Sequence, residues 1–153
     1  MGFLTGKTAI ITGAGRAVLK DGSCGSIGYG IATAYAKEGA NLVITGRNVK
    51  KLEAAKQELE SLYGIKVLTV QADVCAGGDN EATVANVVKQ AVDTFGGIQV
   101  LINNAQASAS GVPLAEHTTE QFDLAIYSGL YAAFYYMKAC YPCLLYTSDA
   151  ADD

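Results

Sequence analysis

Apolar residues recur along this chain in two alternating rhythms. Short, β-branched runs occur at Lys7–Thr12 (KTAIIT), Asn41–Thr45 (NLVIT), Lys66–Gln71 (KVLTVQ) and Val100–Asn103. The first two stop at Gly13 and Gly46, a signature of buried strands. Between the runs the spacing changes to that of an amphipathic helix. Ile27–Glu38 sets Ile27, Ile31, Ala34 and Tyr35 on one face and ends at Gly39. Val49–Tyr63 sets Leu52, Ala55, Leu59 and Leu62 toward a core, and Asp79–Phe95 carries an unbroken stripe of Val84, Val87, Val88, Ala91, Val92 and Phe95. Glu120–Ala139 predicts a last helix, with Thr118 or Thr119 as its N-cap.

Strands separated by helices need right-handed crossovers, hence a parallel sheet covered on both faces. The expected fold class is α/β, a Rossmann-type doubly wound parallel sheet in strand order 3-2-1-4, truncated after the fourth strand and its following helix. No internal repeat or Pro-rich linker divides the chain.

Thr12 to Ala32 (TGAGRAVLKDGSCGSIGYGIA) joins the first strand to the first helix. Glycines there let backbone approach a phosphate, and a helix N-terminus offers unpaired N–H groups and a positive dipole end. The other reading is a turn whose glycines serve helix–strand packing alone. Residues Ala17–Cys24 lengthen the turn, as a small flap or as a tolerated surface insertion. Cys24 lies in that insertion with no His near it in sequence and reads as an incidental thiol.

Composition narrows the class. Of 153 residues, 50% are hydrophobic and 17% charged, which is globular rather than disordered. The net charge of −4 drops to −1 without the last eleven residues, and no basic stripe suggests nucleic acid. No apolar run is long enough to span a bilayer, no signal peptide is visible, and Gly6 stands where an N-myristoylation signal needs Ser or Thr. Four irregularly placed Cys read as reduced thiols, so a cytoplasmic location is expected. His117, the one His, lies in a polar loop beside Glu116 and reads as a surface residue; no metal site is expected.

Thr12-Gly13-Ala14-Gly15-Arg16, Ala72-Asp73-Val74 and Asn103-Asn104-Ala105 stand in the order and setting of the short-chain dehydrogenase/reductase family, which the chain resembles from about Thr5 to Pro142. The resemblance implies hydride transfer between a nicotinamide dinucleotide and a small-molecule carbonyl or alcohol. It implies that Gly13 and Ser26-Ile27-Gly28 cradle the pyrophosphate. It also implies that Asp73 accepts from the adenine amine beside Val74, and that Asn103 and Ala105 line the nicotinamide-side ribose. These positions lie at carboxyl ends of strands, where open α/β sheets bind ligands. An NAD site places Asp or Glu after the second strand, but here that turn reads Thr45-Gly46-Arg47-Asn48. Arg47 can pair with a 2′-phosphate through its planar fork, and Arg16 could converge on the same group, so NADP(H) is expected over NAD(H).

The chain also departs from the family. Its Ser and Tyr-x-x-x-Lys chemistry is absent: no Lys has a Tyr four residues earlier, and Phe134 precedes Lys138 at that distance. No catalytic residue is therefore assigned, and the chain as given is expected to be inactive. Gln106 stands where the family usually has Gly, and Gly129 aligns with the Asn of its proton relay. These departures leave room for a non-catalytic dinucleotide-binding module. Ser26-Ile27-Gly28 after a long turn also resembles enoyl-acyl-carrier-protein reductases. The helix YSGLYAAFYYMKACYP is apolar on several faces, and in the family it packs in an oligomer interface, implying a homo-oligomer.

After Pro142 the chain reads CLLYTSDAADD, which resembles one reading frame through a transposase-type sequencing-library adapter. The expected organisation is a dinucleotide-binding unit over residues 1–142 and an adapter-derived tail over 143–153. Cys140-Tyr141-Pro142-Cys143 is then a junction rather than a redox pair. A fourth strand left as an apolar edge would make this chain fold poorly.

Overall fold

Thr8–Thr12 is buried at all five positions, which only a central strand covered on both faces permits. In the computed structural model, which describes residues 2–75 and 80–148, this strand is β1. It is followed by α1 (Ile27–Lys37), β2 (Asn41–Gly46), α2 (Val49–Tyr63), β3 (Val67–Gln71), α3 (Asn80–Phe95) and β4 (Val100–Ile102). A 3₁₀ turn (Leu114–Glu116) then leads to α4 (Thr119–Ala125), a π-helical turn (Ile126–Tyr131) and α5 (Ala132–Ser148). The sheet is parallel in the order β3-β2-β1-β4, as the alternation of strands and helices predicts. Asp79, the expected start of the third helix, lies outside the described residues.

The two-residue period of β1 divides the core. Ala9 and Ile11 face α1 and α2, where they meet Ala32, Ala36, Leu42, Leu52 and Leu59. Ile10 faces α3 and α5, among Val43, Val70, Val84, Val87 and Tyr136. Among the described residues β4 pairs only with β1, through Val100, Leu101 and Ile102. No helix of the described residues is long and apolar enough to cross a membrane.

Three helical details differ from the sequence pattern. On α1 the buried face is Gly28, Tyr29, Ala32 and Ala36, while Ile27 is 76% exposed and Ala34 is exposed. Gly28, Ala32 and Ala36 pack on that face with Tyr29, whose hydroxyl reaches Glu58, so bulk alone was a misleading guide. On α2, Leu62 points outward at the last turn, leaving Leu52, Ala55 and Leu59 inside.

The single helix expected over Glu120–Ala139 is broken and prolonged. Thr118 caps α4 in a capping box with Gln121, and the helix then widens, with the Ala132 N–H reaching back to the Tyr127 carbonyl. Ser128 provides the cause: its hydroxyl bonds the Leu124 carbonyl at 2.8 Å and competes with the helical ladder. Beyond Ala139, α5 continues through Pro142 to Ser148, with Cys143 and Leu144 packed against the α3 side of the core.

Candidate dinucleotide site

The ends of β1 and β4 are locked together by two side chains. Thr12, 2% exposed, accepts the backbone N–H groups of Asn104 and Ala105, both at 2.9 Å. Asn104 replies with its amide, which donates to the Thr12 carbonyl at 2.9 Å and the Gly13 carbonyl at 3.4 Å. Gly13 then turns with φ +70°, a left-handed conformation that favours glycine, and its N–H and that of Ala14 bond the Thr45 carbonyl of β2. Gly28 closes the arrangement from α1. A Cβ there would lie 2.2 Å from the Gly13 oxygen and 2.5 Å from the Asn104 amide nitrogen, so no other residue fits. Ser26 caps α1 by accepting from the Tyr29 N–H.

These contacts leave a cleft of about 210 Å³ across the carboxyl ends of the strands. Gly13, Arg47, Asp73, Val74 and Ala105 line it together. Arg47 is exposed at the turn between β2 and α2; its carbonyl accepts from Gln71, and Asn48 caps the helix behind it. Asp73 accepts the Cys75 N–H at 2.9 Å. Burial first, and the Asp73 charge second, push the Cys75 thiol above its ordinary range. Asn103 lines a second cavity of about 160 Å³, which shares Val74, Asn104, Ala105 and Gln106 with the first. Tyr136 lines this second cavity at 1% exposure, and among the described residues its hydroxyl has no hydrogen bond of ordinary geometry. Burial pushes that phenol up to about 12, against an opposing pull from Thr45.

Ser26 and Ile27 border a separate depression beside the start of α1, together with Cys24. Arg16 lines a depression on α2 with Glu58, and Arg47 lines the cleft at the strand ends. The Arg16 Nε bonds Glu58 on α2 at 2.5 Å, and the Tyr29 hydroxyl donates to the other Glu58 oxygen. Arg16 therefore ties the glycine turn to α2, which its backbone N–H also reaches at the Lys51 carbonyl. The Tyr29 hydrogen bond first, and Arg16 second, hold the Glu58 carboxyl below its usual range. Ala17–Cys24 is a small exposed hairpin, bridged between Val18 and Cys24 and turned at Asp21 and Ser23. His117 sits with Nε2 3.1 Å from the Val112 carbonyl.

Thr12 and Asn104 fasten the site without being among its expected ligand-contacting residues. Both stand inside the quoted motifs, but sequence spacing does not reveal which side chain turns inward. Ser128 is a third such residue: buried, it accepts the Ala107 N–H at 2.9 Å and has its one proton shared between the Leu124 and Ala107 carbonyls, so it fixes the loop that follows β4. Gly129 and Gln106, two departures from the family pattern, face each other: a Cβ at Gly129 would lie 3.9 Å from Gln106 Cγ and Nε2.

A family model described as short chain dehydrogenase matches residues 7–151. A 12alpha-hydroxysteroid dehydrogenase of Clostridium sp. is 60% identical over 144 residues, 94% of this chain but 53% of that protein. An uncharacterized oxidoreductase of Bacillus subtilis is 37% identical over 140 residues, 91% of this chain and 44% of the relative. The chain thus spans about half the length of these curated relatives. Among solved structures, L-sorbose reductase from Gluconobacter frateurii, complexed with NADPH and L-sorbose, is similar with a TM-score of 0.78 at 31% identity. That match covers 94% of this chain and 49% of the reductase. A metagenomic short-chain oxidoreductase in complex with NADP has a TM-score of 0.79 at 27% identity, over 94% of this chain and 59% of that one.

Proposed function

The chain belongs to the short chain dehydrogenase family, and from that premise we propose that it is the cofactor-binding part of an NADP(H)-dependent oxidoreductase acting on a secondary alcohol or ketone. The observation that carries this reading is Arg47. It is a cation at the end of β2, in one cleft with Gly13 and Asp73, in a turn that holds no carboxylate. A 2′-phosphate finds there a planar, bidentate partner, whereas a bare 2′-hydroxyl finds no carboxylate in that turn. The glycines fit the group as well, since Gly13 and Gly28 let the start of α1 pack close against the end of β1 around the Asn104 amide. When bound, the nicotinamide gives or takes the hydride.

The chain's own residues have narrower roles in this reading. Gly13 and the start of α1 at Ser26-Ile27-Gly28 hold the pyrophosphate. Asp73 and Val74 border the adenine, and Asn103 and Ala105 border the nicotinamide-side ribose. Arg16 fastens the turn through Glu58 and stands as the second cation expected near the 2′-phosphate. With no Tyr-x-x-x-Lys in its 153 residues, the chain is assigned binding rather than turnover. The 60% identity to a 12alpha-hydroxysteroid dehydrogenase supports a steroid hydroxyl or ketone as the substrate class of the whole protein.

The test is Arg47→Asp, followed by titration with NADPH and with NADH. Losing a charge-assisted contact to phosphate should weaken NADPH by about 10- to 100-fold and leave NADH within a few-fold. Equal losses for both cofactors would remove Arg47 from the 2′-phosphate and the preference with it.

A further inference from the structure

The two cavities at the strand ends adjoin, with Val74, Asn104, Ala105 and Gln106 lining both. The sheet order sets the direction of a ligand along them. Arg47 stands at the end of β2, Gly13 at the end of β1, and Asn103 to Gln106 just beyond the end of β4. A dinucleotide with its 2′-phosphate at Arg47 and its pyrophosphate at Gly13 therefore delivers its other half to the β4 end.

Gln106 waits there. It is exposed, and its carboxamide makes no hydrogen bond among the described residues. Its side chain lies over Gly129, the residue of the π-helical turn that has no side chain of its own. Because a Cβ at 129 would already touch Gln106, any longer side chain there would compete for the same space. Tyr136 lines the same cavity as this pair, its hydroxyl buried and without a hydrogen bond of ordinary geometry among the described residues. The hydroxyls of Thr12 and Ser128 on the same wall are already committed to backbone groups.

We propose that Gln106 is a ligand-binding residue, whose carboxamide, held over the bare face of Gly129, hydrogen-bonds the nicotinamide-ribose half of the dinucleotide. A carboxamide both donates and accepts, which suits the hydroxyls of a ribose and the amide of a nicotinamide. Gly129 is the residue that leaves room for it. The proposal rests on the dinucleotide reading and adds a residue-specific contact at the end of the site opposite Arg47.

The experiment titrates the full chain with NADPH and with adenosine 2′,5′-bisphosphate, which lacks the nicotinamide half. Gln106→Ala should weaken NADPH by about 3- to 10-fold, the range of one neutral hydrogen bond, and leave the bisphosphate unchanged. The exchanged double variant, Gln106→Gly with Gly129→Asn, returns a carboxamide to the same space from the helix side and should recover most of the loss. Unchanged NADPH affinity in Gln106→Ala overturns the proposal, as does an equal loss for both ligands, which would mark a collapsed loop. Failure of the unaltered chain to bind either ligand overturns the dinucleotide reading itself.

Discussion

Replacing Thr12 by valine removes one oxygen and keeps the β-branched shape that the strand prefers. That oxygen accepts two backbone N–H groups, from Asn104 and Ala105, at 2.9 Å each. Valine strands both. An unmade hydrogen bond at a buried donor costs about 1–3 kcal/mol. Asn104 and Ala105 are half-buried, so water relieves part of that, and the lower end applies to each. The expected destabilisation is therefore about 2 kcal/mol. Urea unfolding followed by circular dichroism measures it: with a slope of about 2 kcal/mol/M, the midpoint falls by roughly 1 M. Thr12→Ser is the control, because it keeps the acceptor and loses a methyl group. A Thr12→Val chain that unfolds within about 0.5 kcal/mol of the parent would refute the reasoning. So would a serine variant damaged as much as the valine one.

Gly28→Ala places a Cβ 2.2 Å from the Gly13 oxygen, so α1 must move off the strand ends. A loss of about 2–3 kcal/mol and much weaker NADPH binding are expected, and wild-type stability in a denaturation curve would contradict the packing described. Glu58 is held below the 4.5 of a free glutamate by Tyr29 and Arg16. Its contribution is present above that value and lost as the pH falls through the folded pKa, so Glu58→Gln should flatten the decline in stability below about pH 4.5. Parallel acid limbs for the two chains would show that the triad is not the cause.

Strand order and the cleft at the strand ends were legible because they rest on patterns the chain repeats. Alternating β-branched runs and helical stripes fix a parallel sheet, and its topology brings Gly13, Arg47, Asp73 and Ala105 together. What was hidden depends on contacts between distant segments. Arg16 and Arg47 look alike in sequence, yet only the first is paired, by Glu58 forty-two residues beyond it. Ile27 has the bulk of a core residue, but the close approach of Gly28 to Gly13 sets the helix so that Gly28, Tyr29, Ala32 and Ala36 face inward instead. The π-helical turn depends on where one hydroxyl, Ser128, finds its partners, which no periodicity in the chain encodes.

The most direct test of the account is the ratio of the dissociation constants for NADPH and NADH, measured on the unaltered chain by titrating the fluorescence of the bound cofactor. A cleft that reads the 2′-phosphate through Arg47 predicts saturable binding, with NADPH favoured by about 10-fold or more. Equal affinity for the two, or no saturable binding of either, would contradict it.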